Sequence, residues 1–200
     1  MKKLLALVMA LGASSSCSLS FAAEAAKAEP TPPPAAITLV NGAGVDSAML
    51  ERIRAYMQAD LHVVVGHVST VTAASVPAAL KSATTTHAPQ FCRVIFWRGE
   101  SEIKNGFQLM PDARVVLVDT TPLLADHPDG KKLEGRLERQ AMRGTGLLLG
   151  LEYVAGPPCT LKRIGNLKEL DALSSNFSPP AQGKFRQLIQ LEGVEILDQP

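Results

Sequence analysis

The chain is poor in aromatic residues, poor in cysteine and without an excess of charge of either sign. Of 200 residues 4% are aromatic, one of them the single Trp, and three are Cys. Lys and Arg number 20 against 19 Asp and Glu, a formal net charge of +1. Without a cationic excess, nucleic acid is not expected as a partner, because phosphate binding draws on clustered positive charge. So few cysteines exclude a disulfide-dense mini-protein. There is no CxxC pair, no Gly-rich loop to cradle a phosphate and no G-x-S-x-G elbow. After Leu11 no apolar run approaches the ~20 residues a membrane-spanning helix needs. What is present is a hydrophobic content of 46%, which excludes a disordered polymer or a collagen-like repeat. The length suits one domain with a tail.

The first 22 residues read as an export signal. Lys2 and Lys3 form a cationic start, Leu4 to Leu11 is apolar, and Ser20-Phe21-Ala22 places small side chains where a signal peptidase needs them. Cleavage after Ala22 is expected, with a periplasmic or secreted destination. Lipidation at Cys17 is the minor alternative. Ser14-Ser15-Ser16 precedes that cysteine, without the large aliphatic residue such a site normally carries three positions earlier. Removing Lys2 and Lys3 turns the balance to 18 basic against 19 acidic residues, a net charge of −1. Cys92 and Cys159 remain, and in an oxidising compartment a disulfide between them is an open alternative.

Residues 23–35 are rich in Ala and Pro, with Pro30, Pro32, Pro33 and Pro34 clustered, and read as a flexible tether. Residues 36–200 form the domain. Strands are expected at Ile37–Val40, Leu61–Val68, Phe91–Trp97 and Arg114–Val118. Helices are expected from Asp46 or Ser47 to Asp60, over Ala73–Ser82, from Lys131 towards Leu151, and over Gln182–Leu191. Asn105-Gly106 marks a turn. This order predicts a single α/β domain with a mixed sheet.

The long helix holds an anomaly. Gly144, Gly146 and Gly150 fall within seven residues, and each glycine inside a helix costs ~1 kcal/mol relative to alanine. Either another chain segment approaches closely there, or the pattern is inherited; Gly150 also suits a left-handed helix terminator. The run Arg143-Gly144-Thr145-Gly146-Leu147-Leu148-Leu149-Gly150-Leu151-Glu152-Tyr153 resembles the H-E-x-x-H-x-x-G-x-x-H motif of the archaemetzincins, a branch of the metzincin zinc peptidases. With Gly150 on the motif glycine, Arg143 and Leu147 stand at the helical histidines. Gly144 stands at the glutamate and Tyr153 at the third histidine. Downstream, without a gap, Cys159 meets the second cysteine of the family's other zinc site. Val154, Ser178 and Ala181 take the remaining cysteine positions. Asp171 and Phe177 meet a family Asp and Phe, and Asn166-Leu167 fits with a one-residue shift.

The resemblance implies a zincin-like domain, its mixed sheet packed on a long former active-site helix. It also implies zinc-dependent peptide hydrolysis. Yet Leu147 and Gly144 bring no lone-pair donor, Arg143 repels a cation, and Tyr153 alone is a weak ligand. The expectation is therefore an exported pseudo-peptidase with no catalytic residue, no metal ligand and no cofactor. Its former cleft, at Arg143, Leu147, Tyr153 and Arg139, would bind a protein or an anionic ligand. A hydrolase or metallopeptidase with a relocated, non-family site is the alternative, and a purely structural envelope component is the third reading.

Other features favour ordinary roles. His62 and His67 are five apart on one expected strand and so face opposite ways. Arg136, Arg139 and Arg143 share a helix face that reads either as a cationic stripe into the cleft or as a solvated face paired with Glu134 or Glu138. Trp97 suits a half-buried rim position.

Overall fold

The computed structural model describes residues 34–68, 89–99 and 106–198. The expected export signal, most of the tether, the Ala73–Ser82 helix and Asn105 lie outside the described residues.

Five strands form one mixed sheet: β1 (Ile37–Gly42), β2 (Val65–Val68), β3 (Cys92–Trp97), β4 (Phe107–Met110) and β5 (Val115–Asp119). They lie in the order β2-β1-β3-β5-β4. β1 pairs in parallel with β2 and β3, β3 pairs in parallel with β5, and β4 runs antiparallel to β5 at the edge. β3 and β5 are buried along their whole length, Arg93 and Asp119 included, as largely apolar strands at the centre of a sheet should be. Pairing begins just after the proline cluster: Ala36 N donates to Val64 O at 2.8 Å and Gln90 N to Ala35 O at 2.9 Å.

Helix α1 (Ser47–Leu61) is capped by Asp46, whose side chain accepts from Met49 N at 3.0 Å. It buries Met49, Leu50, Ile53, Met57 and Leu61. The expected strand over Leu61–Val68 is corrected here. Leu61 is still helical and His62 closes α1 in the left-handed conformation, so the strand starts only at Val65. Three consecutive valines favour strand, but the His62 turn redirects the chain first. Helix α2 (Gly130–Leu148) is capped by Asp129 and packs against β3, β4, β5 and α1. Arg52 of α1 meets Glu134 of α2 through both carboxylate oxygens at 2.6–3.0 Å.

Three elements among the described residues were not expected, one of them a 3-10 helix at Pro122–Leu124. β4 is a four-residue edge strand, too short for its pattern to stand out. Helix α3 (Leu167–Asp171) is one turn long, begun by a reciprocal cap. Glu169 N donates to Asn166 Oδ1, and Asn166 Nδ2 to Glu169 Oε1, both at 3.0 Å. Helix α4 (Pro179–Leu191) starts three residues before the expected Gln182, because prolines fit a first turn whose N–H groups have no helical partner. Leu197 N donates to His62 O at 2.7 Å, tying the C-terminal segment to the end of α1.

Candidate functional site

The three glycines of α2 have separate physical reasons. A Cβ on Gly144 would overlap the Val116 Cγ1 methyl, so α2 touches β5 there with bare backbone. A Cβ on Gly146 would sit 2.8 Å from the Phe177 ring. Gly150 lies at φ 97°, in the left-handed region. Around it Leu151 N donates to Gly146 O at 2.9 Å and Gly150 N to Leu147 O at 3.1 Å, the paired bonds of a Schellman stop. Helix α2 accordingly ends at Leu148 rather than running on to Leu151.

This stop turns the chain back over the helix. Val154 N donates to Leu161 O at 3.1 Å, closing a short loop with Tyr153 just before it and Arg163 just after it. The Tyr153 ring centroid lies 5.0 Å from the Arg143 guanidinium carbon and 4.9 Å from that of Arg163. Phe107, the first residue of β4, places its ring 5.8 Å from the Arg143 guanidinium carbon. Arg143 itself is 2% exposed, while Tyr153 is 38% exposed. Its Nε and Nη1 are buried and make no hydrogen bond. Cation–π stacking contributes up to ~2 kcal/mol for a desolvated pair. Removing a guanidinium from water costs several kcal/mol. The rings therefore offset only part of the cost of burying this charge.

Of the residues singled out from sequence, Arg143 and Tyr153 come together. Leu147 lies on the same helix face, one turn on, and packs half-buried against the core. Arg139 is elsewhere, its Nε donating to Leu173 O at 2.8 Å. The three arginines do not share one environment. Arg136 is fully buried and clamped by Asp126 and Asp171 at 2.6–2.9 Å, and by the Leu123 carbonyl at 2.7 Å. The chain beyond Gly150 covers that face. Phe107 and Arg163 were missed. Phe107 follows the Asn-Gly turn signal directly, but no spacing rule connects it or Arg163 to Arg143.

Trp97 is buried rather than a rim residue, and His62 and His67 sit apart, one on a helix end and one exposed near Glu51. Cys92 and Cys159 are both free and buried, so the disulfide held open is not made. Burial pushes the Cys92 thiol up to about 12, so its thiolate form is scarce at neutral pH. Native protein treated with iodoacetamide at pH 8 should therefore show neither Cys92 nor Cys159 alkylated by mass spectrometry. Both should react after denaturation, and rapid native labelling of Cys92 would contradict this packing.

The described part of the chain also matches solved structures. A zinc-dependent peptidase from Methanocorpusculum labreanum superimposes with a TM-score of 0.59 at 16% identity, covering 76% of this chain and 99% of that one. Archaemetzincin from Methanopyrus kandleri gives 0.60 at 17% identity, over 80% and 98%. Archaemetzincin from Archaeoglobus fulgidus, complexed with malonate, gives 0.55 at 12%, over 74% and 99%. The fold is that of the archaemetzincins. No family model and no curated protein matches the sequence.

An archaemetzincin fold implies zinc, and the residues here do not fit it. Zinc takes thiolate, imidazole or carboxylate donors. The positions that the motif resemblance assigns to ligands and base hold a guanidinium, an isobutyl group, a phenol and no side chain at all. The guanidinium lies against the phenol ring, which puts a fixed positive charge where an ion would need donors. Among the described residues no group of three or more His, Cys, Asp or Glu could hold a metal ion. At the second site Cys159, Ala181 and Val154 belong to or pack on the apolar core.

Proposed function

We propose that this chain is an exported, non-catalytic archaemetzincin-like protein, a pseudo-peptidase, that binds through its former metal cleft in the cell envelope or outside it. The observation that carries the reading is the Arg143–Tyr153 stack. These are the residues that the resemblance sets at the first and third histidines of the motif, and they meet as a cation on a ring. The export part rests on Lys2-Lys3, the apolar Leu4–Leu11 and Ser20-Phe21-Ala22. A cationic cleft with a partly exposed ring suits an anionic ligand or an acidic partner surface.

The test is metal content and activity. Protein recovered from the producing cell's periplasm or medium should carry substoichiometric zinc and cleave no peptide with or without added zinc. Stoichiometric zinc, or cleavage abolished by a chelator, would overturn the reading.

A further inference from the structure

The cations of this chain divide into those that hold the fold and those left at its surface. Arg52, Arg54, Arg114, Lys132 and Arg136 each meet a carboxylate. Lys162, Arg163 and Lys184 are exposed, and among the described residues no carboxylate pairs with them. Lys184 lines an open groove of ≈ 490 Å³ between the loop after Gly150 and the start of α4. Arg163 stands beside it, its guanidinium carbon 4.9 Å from the ring of Tyr153, which also lines the groove. Lys162 follows the lining residue Leu161 and pairs with Val154, another lining residue, across an isolated bridge. The described lining holds one acid, Glu152.

The groove itself is apolar. Leu151, Leu161 and Ala181 line it as buried side chains. Tyr153, at 38% exposure, stands on one wall with Pro157, and Pro179 and Pro180 open α4 on the other. Proline fixes its own φ, and Tyr153 is held between the Arg143 and Arg163 guanidinia. The walls are therefore set before anything binds, which lowers the cost of ordering them. Val154 and Ala181, which the resemblance sets at cysteines of the second zinc site, add apolar surface and no metal donor. An open groove leaves a compact molecule half wet. An extended polypeptide suits it better, because alternate side chains enter the groove while the others stay in water. Apolar residues in the first set and carboxylates in the second match the apolar walls and the unpaired cations beside them.

We propose that this groove docks an extended acidic segment of a partner protein. Alternate apolar side chains of the segment lie between Tyr153 and Pro180, and its carboxylates meet Lys184 and Arg163. The proposal deepens the binding role given above and rests on the non-catalytic reading.

Fluorescence anisotropy on the exported protein tests it, with a labelled octapeptide of alternating leucine and glutamate as probe. Saturable binding at one site per chain is expected, weakening as salt rises. The leucine–lysine and alanine–glutamate octapeptides should each bind at least about tenfold more weakly, or 1.4 kcal/mol. Arg163→Glu together with Lys184→Glu should cost at least about tenfold as well. Gly156→Phe should do the same with an unchanged thermal midpoint. A Cβ on that lining glycine meets nothing within 4 Å, so the new ring enters the groove and leaves the packing alone. No binding at about 1 mM peptide, or equal affinity for the leucine–lysine peptide, would overturn the proposal. Dodecanoate that displaces the probe better than unlabelled peptide does would give the groove to an anionic amphiphile. A wild-type dimer in sedimentation that G156F dissolves would give it to a second copy of the chain. Either result overturns the assignment. Zinc and peptidase measurements on the same preparation separate the two ideas. A metal-free, inactive protein that ignores the peptide sinks this proposal alone, and a zinc-loaded peptidase sinks the non-catalytic reading.

Discussion

Replacing Asp126 and Asp171 together with alanine is expected to lower the thermal midpoint by roughly 10 °C at pH 7. The double change strands the Arg136 guanidinium, which has no exposed surface, with one backbone carbonyl as its remaining partner. Breaking a buried pair from the side that leaves the charge inside costs about 3–5 kcal/mol. Arg136→Met should cost less, about 1–2 kcal/mol. Its two abandoned carboxylates are 43% and 25% exposed and can turn to water. The order of the two effects is the informative result, because a surface ion pair would show neither.

Acid should expose the same clamp. Hydrogen bonds from Arg136 hold both carboxyls below their usual range, Asp126 well below it, with Lys132 adding to the shift. Groups depressed in this way add stability above their unfolded pKa of ~4 and lose it as pH falls through their folded values. The midpoints of wild type and of the Asp126→Ala, Asp171→Ala double variant should therefore differ most above pH ~4 and converge below it. Thermal melts by circular dichroism from pH 2 to 7 measure this directly, and a gap that widens in acid would contradict the clamp.

Much of the fold was legible because it depends on local pattern. The runs at Ile37, Phe91 and Val115 are strands, and the segments expected as helices at α1 and α2 are helices that bury an apolar face. The left-handed Gly150 was equally legible, since few residues besides glycine tolerate that conformation. Where reading from sequence failed, geometry outside the segment decided. Leu61-His62-Val63-Val64-Val65 has strand composition, but its first residue completes the buried stripe of α1, and burial outweighs propensity. β4 exists because β5 offers it an edge to pair with.

The site was half legible. Arg143 and Tyr153 were singled out through the motif that their segment resembles. The fate of Arg136 and Arg139 was not, because helical spacing states which residues share a face and is silent on what covers it. Here the cover comes from both sides: Leu123 and Asp126 before α2 and Asp171 after it take up Arg136, the Leu173 carbonyl takes Arg139, and Arg143 is bypassed.

Gly144 supports the last prediction, and the reason a zinc motif cannot simply be built into α2. Helix α2 meets β5 at Val116 with no room for a Cβ. Gly144→Ala should gain ~1 kcal/mol in helix propensity and lose about 1–3 kcal/mol to overpacking against a stiff β-branched neighbour. The net is destabilising, and Val116→Ala in the same chain should recover most of it by returning the volume. Urea unfolding of the two single variants and the double closes the cycle, and strictly additive losses would show that the contact is not what excludes the side chain. Gly144→Glu adds an unpaired carboxylate to the same contact, a combination that exceeds what most domains can lose. The combined change R143H, G144E, L147H and Y153H should thus yield unfolded protein rather than a zinc peptidase. The position that the resemblance sets at the glutamate is closed by the approach of helix to sheet, so placing a carboxylate there requires moving α2 away from β5 as well as exchanging side chains.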